Sequence, residues 1–238
     1  MKRDAVALTV AMLLPSFMTW FEFTILPGDD GTSKPFLQLL FVGGKVAQFA
    51  FPALYIFCVD SAHFAVSRAS ARALAQGAGV GLVVGLGAVG LYGVFLRDTP
   101  LMAQTGARLL GWLREYHVAT PAGYWTMAIL MTTLHAFLEE YYWRWFVFRR
   151  LHRHLALGWA TALSSLGFML HHIVILSIYL PGYFWEGVLP FSLCVAVGGV
   201  IWALLYNHAR SLYPVWLSHG LVDFALMCIG WDLVNRSW

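Results

Sequence analysis

The sequence predicts an all-α protein: a polytopic membrane helix bundle of about seven transmembrane helices, with its active site inside the bundle. Three observations carry this. Hydrophobic residues make up 60% of the 238 positions and charged residues only 11%, against roughly 25% charged in a typical soluble domain. The apolar residues fall into seven stretches of the length that crosses a bilayer, about 20 residues each. Finally, the charged and imidazole side chains of the C-terminal half sit inside those stretches. Twelve acids and fifteen Lys/Arg cannot coat a globule of this size, so a soluble enzyme is excluded. The mean hydropathy of +0.68 agrees, and a net charge of +3 gives no reason to expect a nucleic-acid partner.

In chain order the spans are near 5–26, 36–58, 73–96, 121–148, 155–180, 188–206 and 211–231. The first follows Lys2 and Arg3 but lacks a small-x-small cleavage site leading into a soluble chain, so it reads as a retained span. The third holds Gly77, Gly79, Gly81, Gly85, Gly87, Gly90 and Gly93. Small residues at this spacing let helices approach closely in lipid. Residues 101–117 are too mixed to span. Leu109, Leu110 and Leu113 beside Arg108 and Arg114 suit a helix lying at the interface.

Loop charges orient the chain. With the N-terminus inside, Lys2, Arg3, Arg68, Arg72, Arg149, Arg150, Arg153 and Arg210 are cytoplasmic, whereas Lys34, Arg97, Arg108, Arg114 and Arg236 lie opposite. The excess favours a cytoplasmic N-terminus. Cys58, Cys194 and Cys228 each lie in an apolar run without metal or redox spacing and read as small buried hydrophobes.

A charge at the bilayer centre costs about 2.5–3.5 kcal/mol on insertion scales. Glu22 and Lys45 are single charges in the first two spans, open to snorkelling or pairing. The later spans carry more: Leu138-Glu139-Glu140-Tyr141-Tyr142-Trp143-Arg144, Phe168-Met169-Leu170-His171-His172, and His219-Gly220-Leu221-Val222-Asp223. Left apart in lipid these groups are too costly, so they are expected to meet at an enclosed polar centre. Glu140 and Arg144 are i and i+4 on one helix face, in the favourable acid-first order. That spacing predicts a structural ion pair and leaves Glu139, about 100° away, to exchange a proton. His135 is four residues before Glu139, and His219 four before Asp223, where an acid can fix the imidazole's tautomer.

Such a set suits hydrolysis: a carboxylate and an imidazole hold and deprotonate a water, and a further donor stabilises the oxyanion. No GxSxG or HExxH motif is present. Two histidines and a carboxylate are also a zinc donor set, which ranks below a metal-free mechanism.

On these residues the chain resembles the CPBP family of CAAX-prenyl proteases and bacteriocin-processing intramembrane proteases, also called the Abi family. The family signature reads here as Glu139-Glu140-x-x-x-Arg144, Phe168-x-x-x-His172, a small-residue span with Gly198-Gly199, and His219-x-x-x-Asp223, preceded by Trp216-Leu217-Ser218. The resemblance covers about 121–231 as a catalytic core; residues 1–120 are variable N-terminal helices of the same single membrane domain, 1–238. It implies that Glu139 and His172 activate water and that His219 and Asp223 line the oxyanion side. Glu140, Arg144 and Phe168 would support the site. Where the CAAX-processing branch carries asparagine, this chain has Asp223, which donates a hydrogen bond only when protonated; orienting His219 is its alternative role. His171 reads as a bystander on the other face.

The expected function is that of a glutamic-type intramembrane endopeptidase without a cofactor. Its partner would be a membrane-associated protein or peptide: a CAAX-type tail, a leader peptide or a C-terminal sorting signal. The expected location is the bacterial cytoplasmic membrane. A proton-coupled transporter is the first alternative, though no internal repeat supports it, and a silent scaffold or immunity protein is the second.

Overall fold

A computed structural model describes residues 2–26, 34–60 and 67–237, and among these every regular element is helical. The helices are α1 (Lys2–Ile25), α2 (Pro35–Val59), α3 (Ala71–Leu96), α4 (Pro100–Glu115), α5 (121–154), α6 (Leu157–Tyr179), α7 (Phe184–Ala209) and α8 (Leu212–Asn235). All but α4 and α5 are long and apolar enough to cross a membrane, which makes six among the described residues. The expected fourth span is a helix, but Glu139, Glu140 and Arg144 set α5 apart from that group.

The chain divides into two compact units. One comprises residues 1–66, 141–178 and 188–204, and the other 67–140, 179–187 and 205–238, so the division falls within α5 between Glu140 and Tyr141.

In the first unit, Asp4 near the start of α1 gathers three partners. Its carboxylate accepts from Tyr55 Oη at 2.8 Å and Arg150 Nη1 at 2.7 Å, and meets His154 Nε2 at 2.6 Å. This ties α1 to the ends of α2 and α5. Arg150 is buried because its guanidinium lies over the Tyr55 ring, 4.7 Å from the centroid, where cation–π attraction offsets lost hydration. Tyr142 Oη donates to the Ala11 carbonyl at 2.8 Å. Residues 141–148 form a π-helical stretch in which every side chain is buried, as expected of a helix that is aromatic and apolar on all sides. Glu22 and Lys45 approach each other to 4.0 Å, so the two single charges of the first spans form a pair.

The second unit is built around α8. Gly77, Gly81 and Gly85 of α3 face Pro214, Ser218 and the Leu221–Ala225 stretch so closely that a Cβ at Gly77 would collide with the Pro214 carbonyl oxygen, and one at Gly81 would lie 2.6 Å from the Ser218 oxygen. Three of the seven glycines thus make the predicted close approach, while Gly79, Gly87, Gly90 and Gly93 face open space. The pairings advance together along both chains, so α3 and α8 run parallel. Their far ends are locked by Arg97 bidentate on Asp232 (3.0 and 2.8 Å), with Tyr92 Oη on the same carboxylate at 2.6 Å.

Against α8 the first part of α5 runs the other way: Tyr124 Oη donates to the Met227 carbonyl at 2.6 Å, and Trp216 Nε1 to the Thr133 carbonyl at 2.8 Å. Within the second unit α5 therefore runs antiparallel to both α3 and α8. Helix α4 buries Leu110 and Leu113 and leaves Arg108 and Arg114 exposed, the amphipathic arrangement expected of an interfacial helix.

Valine at position 81 must push two helix backbones apart, whereas valine at position 87 meets nothing within 4 Å. Gly81→Val is expected to destabilise the folded protein by about 1–3 kcal/mol, the usual cost of overpacking, and Gly87→Val to leave the thermal midpoint in detergent unchanged. Thermal unfolding of the two variants side by side checks this.

Candidate active site

The acids of α5 lie in a short α-helical stretch, Ala136–Glu140, between π-helical turns at Met131–His135 and Tyr141–Phe148. π-turns recur at functional sites because they re-aim side chains within an otherwise regular helix. Here they bracket the two glutamates.

Glu139, Glu140, His219 and Asp223 come together in the second unit. Glu140 is fully buried and His219 is 3% exposed. His219 Nδ1 lies 2.7 Å from Glu140 Oε1, a charge-assisted hydrogen bond. The carboxylate only accepts, so Nδ1 carries the proton. The other ring nitrogen, Nε2, faces Asp223 Oδ1 at 3.5 Å and Glu139 Oε2 at 3.6 Å. One imidazole is therefore surrounded by three carboxylates. Two bare acceptors do not face each other, so a proton resides on Nε2 or on one of the acids opposite it. His135 Nδ1 stands 3.9 Å from Glu139 Oε2 across the four-residue spacing, with its side chain exposed.

Glu140 has a partner that the spacing rules did not give: its Oε1 accepts from His219 Nδ1, 79 residues away in sequence. No local spacing signals that partner. The expected i, i+4 approach of Asp223 to His219 is present, but at 3.5 Å it is the longer contact and Glu140 is the ring's hydrogen-bonded anchor.

Arg144, Phe168 and His172 lie in the first unit. The buried Arg144 guanidinium sits over the Phe168 ring at 4.6 Å and the Trp202 ring at 5.2 Å; Trp202 is a partner that the sequence motifs did not single out. Both faces are cation–π contacts that help to hold a charge in an apolar setting. His172 Nδ1 is 3.0 Å from the Phe168 carbonyl oxygen one turn back. A carbonyl only accepts, so Nδ1 is the donor and Nε2 is the basic nitrogen of the neutral ring. Phe168 thus acts twice, its ring under Arg144 and its carbonyl on His172. His171 departs from expectation. Its ring centroid lies 4.1 Å from that of His172, and the ring stacks on Trp143 at 5.9 Å, because neighbouring residues on a helix are about 100° apart and not opposed. Close packing supports this region: a Cβ at Gly167 would lie 2.9 Å from the Trp143 ring, and one at Gly199 would lie 3.0 Å from the Ser165 side chain.

Acids and an arginine on α5, and imidazoles on α6 and α8, follow one another along the matched part of the chain. Residues 121–225 match the family described as type II CAAX prenyl endopeptidase Rce1-like, and this segment is an Rce1-like domain of the CPBP proteases. With its apolar spans the protein is an integral membrane protein, and its residues 121–225 are the part that is similar to a CAAX-type protease family. No curated protein and no solved structure matches the chain.

Removing the Glu140 carboxylate leaves a buried imidazole without its anchor. Glu140→Ala is expected to cost about 3–5 kcal/mol of stability, the range for breaking one side of a buried pair, and to lower the yield of monodisperse protein. Asp223→Asn, at a half-buried site 3.5 Å from the ring, is expected to change the thermal midpoint far less. Unfolding curves for the two variants separate these roles.

Proposed function

We propose that the protein is a glutamic-type intramembrane endopeptidase in which Glu139 and His172 activate water and His219 stabilises the developing oxyanion. The observation that carries this reading is the His219 arrangement. With Nδ1 held by Glu140, Nε2 faces Glu139 at 3.6 Å, and in this reading it carries the second proton of an imidazolium. The base and the oxyanion donor then flank one small volume, as attack of water on a carbonyl requires.

In this mechanism Glu139 takes a proton from water, and the hydroxide bonds to the carbonyl carbon of the scissile peptide. Negative charge collects on the carbonyl oxygen, where the Nε2–H of His219 receives it. Collapse breaks the C–N bond, and Glu139 returns the proton to the leaving amine, giving a carboxylate and an amine. His172 shares the water through Nε2, the nitrogen that its bond to Phe168 leaves basic. Glu140 fixes the ring of His219, and Asp223 supports its protonated form. Arg144, held by Phe168 and Trp202, has a supporting role.

The substrate is a peptide segment of a membrane-associated protein, in one of three classes: a CAAX-type tail, a secreted leader or a C-terminal sorting helix. The membrane is the bacterial cytoplasmic one with the N-terminus inside, as the loop charges support.

The test uses purified protein in detergent with a pool of membrane-derived peptides, read by mass spectrometry. Glu139→Gln is expected to fold normally and to lower cleavage by at least about 10²-fold, the contribution typical of a positioned general base. Unchanged cleavage overturns the assignment. A strong chelator is expected to leave wild-type activity intact. Loss of activity restored by zinc replaces the metal-free mechanism with a zinc-dependent one.

A further inference from the structure

The second unit has a groove of about 720 Å³ lined by α3, α5 and α8. Its walls include Leu74 of α3, Thr132 of α5, and Trp216, Leu221 and Phe224 of α8, and Arg68 lines one end. The lining extends along α8 from Tyr213 to Phe224, about 16 Å at 1.5 Å per residue. One leaflet of hydrocarbon is about 15 Å deep, half the roughly 30 Å core. The groove is therefore apolar over the depth of one leaflet and basic at the end where α3 and α8 begin.

The basic end is larger than Arg68 alone. Ser211 Oγ donates to the Ser67 carbonyl at 2.7 Å, which brings Arg210 and Arg68 to the same joint. Arg72 follows in the first turn of α3. All three arginines are exposed, and among the described residues none of them is paired with a carboxylate. Tyr213 stands 40% exposed at this end, and Trp216 is fixed by its bond to Thr133. Aromatic residues of this kind mark the headgroup level of a membrane protein.

We propose that this groove is a binding site for an anionic phospholipid, with one acyl chain along Leu74, Leu221 and Phe224 and its phosphate headgroup among Arg68, Arg72 and Arg210. Charge complementarity selects the headgroup, since unpaired arginines at a membrane surface attract acidic lipids. The one-leaflet depth selects a lipid chain over a spanning helix. Arginine also matches phosphate oxygens with paired N–H donors.

Native mass spectrometry of the full chain in neutral detergent, titrated with phosphatidylglycerol or phosphatidylcholine of identical acyl chains, tests this. Wild type is expected to retain phosphatidylglycerol at least tenfold more tightly. The variant Arg68→Gln/Arg72→Gln/Arg210→Gln is expected to lose that preference, and Leu74→Trp, which fills the groove and keeps the charges, is expected to lose most retention of phosphatidylglycerol. Both variants are compared at equal monodispersity and helicity. Equal retention of the two lipids by wild type overturns the proposal, as does a preference that survives in the triple variant. Undiminished binding in Leu74→Trp overturns the acyl-chain part. Displacement of phosphatidylglycerol at equimolar ratio by a peptide with an apolar, carboxylate-ended tail assigns the groove to a peptide and overturns the lipid reading.

Discussion

The bond from His219 Nδ1 to Glu140 Oε1 is the contact on which the second unit depends. Each partner alone is untenable in an apolar interior: a buried ion costs several kcal/mol after relaxation, and only a close, well-aligned counter-group offsets it. Their meeting fixes α5 against α8 at the turn where the acids lie, and the same bond settles which ring nitrogen is turned to Glu139 and Asp223. The rest of the unit keeps α8 in place for it. Glycines on α3 allow backbone contact along one side, and Tyr124 and Trp216 hold α5 along another. Arg97 and Asp232 close the far end.

The first unit uses a different device for a similar problem. Its buried cations rest on aromatic faces: Arg144 on Phe168 and Trp202, Arg150 on Tyr55. A guanidinium is weakly hydrated and planar, so an aromatic cradle replaces much of what water supplied. The rings come from helices other than α5, and the stretch that carries Arg144 is a π-helix with every side chain enclosed. Phe168 links the cradle to the chemistry, because the residue under Arg144 also holds the Nδ1 proton of His172.

Much of the fold was legible because lipid makes polar residues conspicuous. Spans, the interfacial α4 and the glycine packing face all follow from apolar length, amphipathic spacing and small-residue spacing. The candidate site residues stand out for the same reason: acids and imidazoles do not sit in apolar helices without cause. The bond from Glu140 to His219 was not legible, because it joins residues 79 apart on two helices, and α-helical wheels lose phase where π-turns bracket Ala136–Glu140. His171 beside His172 shows the same limit, since a 100° step and free side-chain torsions bring neighbouring rings together. Nor does the pattern distinguish which of seven glycines on α3 touch a neighbour; only Gly77, Gly81 and Gly85 share the face turned to α8.

The most direct test of the account compares protein termini in membrane fractions from cells carrying wild type or Glu139→Gln at equal abundance. The account predicts new termini, on membrane-associated proteins, that appear only with the intact carboxylate. Identical termini in the two samples, with membrane proteins well sampled, would contradict it and turn the buried acids toward proton movement or a structural role.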